Sequence, residues 1–411
     1  MNKIDKFLCF LIFPALISGQ IAQVTGIFLF IVLKYIYILL LIFRLPSYKL
    51  KVNKQNIISS VFLVIICAGI LRTNGTLFTA ENNFLEVVFY LVTYLFFLGI
   101  SINRNSIKFI FMGLFGILLF NILLMNLGIQ NVAIYKVSSE SSAVVLSKLF
   151  PISDFKRLLF PISNGVNNYG VQIGLLSLFF LLQLKQKYYL IFACITTVSL
   201  LFCDTRSSIL IIALLLVIKF YKSYKSVLLR VSCLIILLAI PILFQNLSRD
   251  SANSSDFKTL NSRSLIWSYA ILKVPNLTLP ETVFGLGRFS AQPLGVSRSI
   301  DDDYVSDSDY ISFHNNFFQF YFDWGVVGLF FMLFLFYWTL IKSKNIENLP
   351  YIILYLILVG FTEASVSYHY TPLLIIFLFI VVYLEAQTLK IPLKNPKVAN
   401  KINNFMPIHI Q

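Results

Sequence analysis

Charged side chains are scarce in this chain. They make up 12% of its 411 residues, about half the fraction expected of a soluble domain. Histidine is scarcer still, with three copies, so few groups can exchange a proton near neutral pH. The five cysteines, Cys9, Cys67, Cys194, Cys203 and Cys233, fall in or beside apolar runs, and none has metal-ligand spacing to another. That excludes a zinc cluster and gives no disulfide framework. Short alternating strands are missing, which excludes an outer-membrane barrel. Gly285-Leu-Gly287 has no strand before it, so it does not mark a dinucleotide site. Asp301 to Asp309 lacks a Gly-hinged calcium-loop pattern and reads as a solvated acidic loop.

What is present is apolar. Hydrophobic residues are 58% of the chain and mean hydropathy is +0.82. Repeated apolar runs of about twenty residues, the length that crosses a bilayer core, indicate an all-α, polytopic integral membrane protein. Twelve spans are expected, near 6–22, 24–43, 56–72, 84–102, 107–126, 167–184, 188–203, 207–221, 226–245, 316–341, 350–366 and 371–387. Met1 to Gln20 lacks an Ala-x-Ala-like end and reads as a first span rather than a cleaved signal. The whole of 1–411 is then one transmembrane domain, with a first outer loop at 127–166 and a large outer loop at 246–315.

The net charge of +15 is an orientation signal. Lys3 and Lys6, Arg44 to Lys54, Arg104 and Lys108, Lys185 and Lys187, Lys219 to Arg230, Lys342 and Lys344, and Lys390 to Lys401 hold 20 of the 33 basic residues. The positive-inside rule makes that face cytoplasmic and places both termini inside. No nucleic-acid partner is needed to explain the charge. The opposite face holds both long loops and 15 of the 18 acidic residues, so any chemistry is expected to face outward.

Five segments of the outer face carry candidate chemistry. His314 and Asn315 are followed after nine residues by Gly325-Val-Val-Gly328, placing a histidine at the mouth of a spanning helix as a candidate general base. Cys203-Asp-Thr-Arg206-Ser is a short hinge between spans. Arg263 to Lys273 has helical apolar spacing and reads as an amphipathic interfacial helix with Trp267 as its anchor. Phe284-Gly-Leu-Gly287-Arg288 is a tight turn, and Arg157 precedes Gly165-Val-Asn167-Asn168-Tyr-Gly170 at the entry to a span. Arginine forks suit phosphate oxygens, so arginines gathered at one bilayer face could grip a lipid diphosphate while His314 deprotonates a sugar hydroxyl. The structural alternatives are arginines that snorkel to head groups, a histidine that caps a helix, and a Gly325/Gly328 pair that lets two helices approach.

Taken in order, these segments resemble the O-antigen ligase/polymerase superfamily of bacterial envelope proteins. Its arginine helix, Phe-Gly-x-Gly turn and closing His-Asn-x9-Gly-x-x-Gly appear here at Arg263 to Trp267, Phe284 to Gly287 and His314 to Gly328. Asp204-Thr-Arg206-Ser207 is similar to its Ser-Arg hinge, and Gly165 to Gly170 to its Asn-bearing segment. Two positions depart from the pattern: Trp267 stands where Leu is frequent, and Thr205 where Ser is common.

The resemblance implies a GT-C-type inverting glycosyltransferase without a catalytic metal or other cofactor. It would act on undecaprenyl-diphosphate-linked glycan at the outer face of the bacterial inner membrane. His314 would be the base, with Arg206 and Arg263 on the diphosphate, Arg157 and Arg288 assisting, and Asn315, Gly325, Gly328 and Asn168 supporting the motifs. Membrane lipids, and a chain-length regulator, are the expected partners. Polymerase is the preferred reading and ligase to a lipid A core or another acceptor the alternative. A lipid-linked sugar transporter fits less well, because Lys34 is the charge that sequence places well inside a span and the halves show no repeat.

Overall fold

The computed structural model describes residues 1–48, 56–74, 80–101, 103, 105–129, 160–163, 166–184, 187–203, 205–220, 263–295, 312–368 and 371–388. Every regular element among them is helical. In chain order the α-helices are α1 (Lys3–Leu16), α2 (Ser18–Thr25), α3 (Val32–Arg44), α4 (Ile57–Leu71), α5 (Ala80–Ile100), α6 (Ser106–Asn126), α7 (Val166–Leu181) and α8 (Lys187–Cys203). Then follow α9 (Arg206–Phe220), α10 (Arg263–Lys273), α11 (Leu279–Phe284), α12 (Asn316–Ser343), α13 (Leu349–Val359) and α14 (Thr371–Thr388).

Among the described residues four helices are long and apolar enough to cross a membrane: Phe28–Ser47, Asn82–Ile100, Ser106–Asn126 and Asn316–Ser343. The pair α1 and α2 makes a fifth if its 63° bend is one broken span. Pro14 lies in the last turn of α1 just before that bend, where its ring and missing N–H weaken the ladder. Five shorter apolar helices have 10–17 residues. Among the described residues, twelve full-length spans are therefore not seen. The expected span 226–245 lies outside the described residues. The expected span 350–366 stops at Val359, and Gly360 to Ser367 is a non-helical segment.

Two helices that are apolar on all sides form the centre, as such helices must be buried on all sides. From Leu373 to Leu384 every residue of α14 is buried, packed among α1, α4, α5, α6 and α12. The other is α13, enclosed by α7, α9 and α12. Aromatic contacts join the layers: Phe111 of α6 stacks on Phe179 of α7 at 4.1 Å, and Phe97 of α5 meets Phe379 of α14 edge-on at 5.0 Å. Buried carboxylates tie down helix ends. Asp5 accepts from Arg44 Nε at 2.9 Å and from the Tyr48 hydroxyl at 2.6 Å. Glu385 accepts from the amides of Ile58 and Ser59 at 3.0 and 3.3 Å, satisfying donors that α4 cannot bond within its own first turn. By contrast α3 is a thin outer wall, with Tyr35, Ile36, Leu39 and Phe43 exposed.

Candidate functional site

The site is assembled at the start of α12. Asn315 caps this helix: its side-chain oxygen accepts from the amides of Phe317 and Phe318 at 2.8 and 3.3 Å. Its Nδ2 donates to the Phe361 carbonyl at 3.1 Å. Asn316 continues the link. Its amide donates to the Gly360 carbonyl at 2.7 Å, its Nδ2 to Ser365 Oγ at 3.0 Å, and its Oδ1 accepts from the Val366 amide at 3.1 Å. Two adjacent asparagines thus staple the non-helical 360–367 segment across the mouth of α12.

That staple sets the position of Glu363. Its Oε2 lies 3.0 Å from Nδ1 of His314, and while the histidine side chain is 29% exposed the glutamate is 1% exposed. A buried carboxylate on Nδ1 favours the tautomer with its proton on Nδ1, leaving the Nε2 lone pair free to take a proton. His314 itself has φ 49°, in the left-handed region, and its amide donates to Ser312 Oγ at 2.9 Å. The preceding peptide is gripped on both sides: Trp267 Nε1 donates to the Phe313 carbonyl at 2.6 Å, and the Phe313 amide donates to Gln319 Oε1 at 3.2 Å.

Trp267 is therefore not the interfacial anchor that apolar spacing suggested. It is buried and stacks on Phe318 at 5.9 Å, inside a small core with Ile266, Ala270, Phe313 and Phe322. This core docks α10, and with it the backbone of Arg263, against the start of α12.

The Phe284–Gly287 turn supports the same helix from another side. A capping box at Thr278 and Glu281 starts α11, and the Thr278 hydroxyl and amide hold the Glu281 carboxyl below its usual value. At the far end Gly285 has φ 72°, ψ −178°, and Gly325 within α12 has φ 71°, ψ −170°. A residue with those angles cannot continue the helix ladder, so α12 kinks there. The turn meets the kink: the amides of Leu286 and Gly287 donate to the carbonyls of Phe322 and Asp323 at 2.7 and 2.9 Å. A Cβ on Gly285 would come within 2.5 Å of the Gly325 amide. Gly325 thus admits α11 rather than a second spanning helix. Gly328 makes room for Trp324 of its own helix. Arg72 donates to the Phe284 and Gly285 carbonyls, and Asn74 Nδ2 to those of Leu286 and Arg288 at 3.0 and 2.9 Å, clamping the turn onto the end of α4.

Behind the turn, Asp323 is buried in α12. It accepts from Ser290 Oγ at 2.6 Å and from Gln319 Nε2 at 2.9 Å. Gln319 in turn holds the Phe313 amide, so one hydrogen-bonded chain runs from the turn to the residue before His314.

The arginines divide. Arg288 is buried and donates to Glu86 Oε2 at 2.5 Å, so its guanidinium faces into the protein. Arg206 is exposed at the start of α9. The hinge beside it packs Thr205 against Gly170 of α7 so closely that a Cβ on the glycine has no room. Two residues on from Arg206, Ser208 shares a 2.9 Å hydrogen bond with the Tyr355 hydroxyl, which also donates to the Val171 carbonyl at 2.9 Å. From Tyr355 to Gly360 the chain rises roughly 7 Å at helical geometry. The Arg206 hinge and the Glu363 segment are thus held by one short helix, α13. Asn168, half-buried, lies one residue before Tyr169, which accepts from Asn121 Nδ2 at 2.6 Å. Arg157, Gly165, Asp204, His369, His409 and the acidic run Asp301 to Asp309 lie outside the described residues.

Sequence spacing found His314 but not its partner. Glu363 was hidden inside an expected span, although Thr362, Glu363, Ser365 and Ser367 form a polar run at its end. Asp323 and Glu86 fall among the 15 acidic residues that sequence places on the outer face, yet both are buried against helices. Lys34 is therefore not alone as a charge inside the bundle.

Comparison with known proteins bears on this arrangement. No curated protein matches the chain. Residues 190–333 match the family model described as O-antigen ligase, a stretch that runs from α8 through the Arg206 hinge, α10, the glycine turn and His314 into α12 beyond Gly328. Over these residues, about a third of the chain, the sequence is similar to that family, which supports a place in the O-antigen ligase/polymerase superfamily.

Proposed function

We propose that this protein is a membrane glycosyltransferase that polymerises undecaprenyl-diphosphate-linked repeat units of O-antigen, capsule or exopolysaccharide at the outer face of the bacterial inner membrane. The observation that carries the reading is the His314–Glu363 pair, a half-exposed imidazole backed by a buried carboxylate 3.0 Å away, at the mouth of a spanning helix. Nε2 of His314 takes the proton from the acceptor hydroxyl. The hydroxyl oxygen then bonds to the anomeric carbon of the donor sugar from the face opposite the diphosphate. The bond from that carbon to the diphosphate oxygen breaks, with inversion, and the diphosphate leaves with the electron pair. Arg206 and Arg263, with Arg157, neutralise the leaving group. Arg288 supports the turn rather than the ligand, since its guanidinium is engaged by Glu86.

The deciding experiment is an in vitro assay with purified protein and lipid-linked repeat unit. Loss of a positioned base typically costs roughly 10²–10⁴-fold, so His314→Ala should form no measurable polymer while still inserting and binding donor. His369→Ala should have a small effect. Full polymer from His314→Ala would remove the base from the mechanism. Transfer to an added lipid A core acceptor in place of chain growth would make the enzyme a ligase.

A further inference from the structure

A second polar cluster lies between α3, α5 and the glycine turn, with Lys34, Asn83, Glu86 and Tyr90 outside residues 190–333 and Arg288 within them. Lys34 sits within the apolar span Phe28–Ser47. Its Nζ is 5.7 Å from the centre of the Phe89 ring, within electrostatic reach of Glu86 and Arg288. Among the described residues it has no hydrogen bond or ion pair. Glu86 is already committed to Arg288 at 2.5 Å, and Asp323 also lies within electrostatic reach of Arg288, so Lys34 has no carboxylate to itself.

The same cluster holds idle hydrogen-bonding atoms. Asn83, Glu86 and Tyr90 are spaced three and four residues apart, which puts them on one face of α5. Asn83 is 8% exposed and Tyr90 0%. Among the described residues, neither Asn83 Oδ1 nor the Tyr90 hydroxyl has a hydrogen-bond partner. Buried polar atoms are ordinarily bonded, and an ionisable residue inside a span ordinarily marks a functional position.

Access to the cluster is lateral. The wall beside it is α3, an apolar span whose Val32, Tyr35 and Ile36 are exposed. A ligand arriving there must travel within the bilayer. It must carry negative charge for Lys34, acceptor oxygens for the Tyr90 hydroxyl, and a hydroxyl donor for Asn83 Oδ1. A phosphate group on a lipid, with a sugar or glycerol beside it, meets all three requirements. We infer that Lys34, Asn83 and Tyr90, with the Glu86–Arg288 pair behind them, form a second seat for a lipid-borne phosphate, entered from the membrane past α3. The choice of lipid rests on the proposed polymerase reading, in which two lipid diphosphates, donor and acceptor, are held at once.

Native mass spectrometry of the purified full chain, released from phosphatidylcholine nanodiscs loaded with undecaprenyl diphosphate, tests this. Two retained equivalents are expected. Lys34→Met should retain one and Lys34→Arg two, and Tyr90→Phe, which removes a single oxygen, should weaken the second equivalent about tenfold. Arg206→Ala should remove the other equivalent and leave the Lys34-dependent one, so failure of the donor-site reading is separable from failure of this one. Phosphatidylglycerol as the second probe tells an ordinary membrane lipid from the substrate lipid: Lys34-dependent retention of either supports the seat. Should Lys34→Met fail to insert, Tyr90→Phe decides. Unchanged retention of both probes in Lys34→Met and Tyr90→Phe overturns the proposal.

Discussion

Nδ1 of His314 faces Oε2 of Glu363 at 3.0 Å across 49 residues of chain. Glu363→Gln keeps the shape and a hydrogen-bonding oxygen but removes the charge that stabilises an imidazolium. Turnover of lipid-linked repeat unit should fall by a large part of the roughly 10²–10⁴-fold that a positioned base is worth, with donor binding kept. A variant as fast as the native enzyme would reduce Glu363 to a packing role.

Arg206→Ala and Arg263→Ala should each lose about 2–4 kcal/mol of leaving-group stabilisation, or roughly 30- to 1000-fold in rate. Lys replacements should recover only part, because an ammonium lacks the planar fork. The measurement is turnover by variants shown to insert normally. Native rates from both alanine variants would leave these arginines as head-group contacts.

Gly285→Ala and Gly325→Ala should each destabilise the fold. Both glycines occupy backbone angles that are essentially Gly-only, a strain of about 1–3 kcal/mol for another residue, and each new Cβ would press on the backbone of the facing segment. Thermal unfolding in detergent should show a lower Tm for either. The double variant should lose less than the sum, since both changes break one contact. Simple additivity would mean the two glycines act separately.

Trp267→Phe keeps a ring to stack on Phe318 but deletes the bond to the Phe313 carbonyl. Leaving that buried acceptor unmatched should cost about 1–3 kcal/mol. Activity should fall more than stability does, because the freed peptide is the one that precedes His314. Equal falls in both would assign Trp267 to the core alone.

The proposed orientation, with residues 246–315 outside, rests on the charge bias of the expected loops, 20 basic residues against three acidic on one side. A Ser254→Cys variant of a chain freed of its own cysteines should be labelled by an impermeant thiol reagent in intact spheroplasts. Labelling only after lysis would invert the topology.

Legibility in the sequence was uneven, for physical reasons. His314, Asn315 and the glycines were legible because each does a local job at fixed spacing: a cap, a kink, a turn. Trp267 was misjudged because apolar residues at helical spacing look the same whether the face meets lipid or protein. The span expected at 350–366 hid a break at Gly360, since hydropathy averages over the few polar residues that hold Asn316. Arg288 and Glu86 stand 202 residues apart, and no local pattern pairs them.

The position of α14 bears on how this molecule is made. Ribosomes deliver the N-terminal part of a chain first, yet α1, α4, α5 and α6 all pack against this later helix. Until residues 371–388 emerge, the earlier helices wait in the bilayer with their inner faces uncovered. A ribosome stalled before α14 would therefore leave an assembly without its centre, and quality-control proteases would meet it as a set of loosely associated helices.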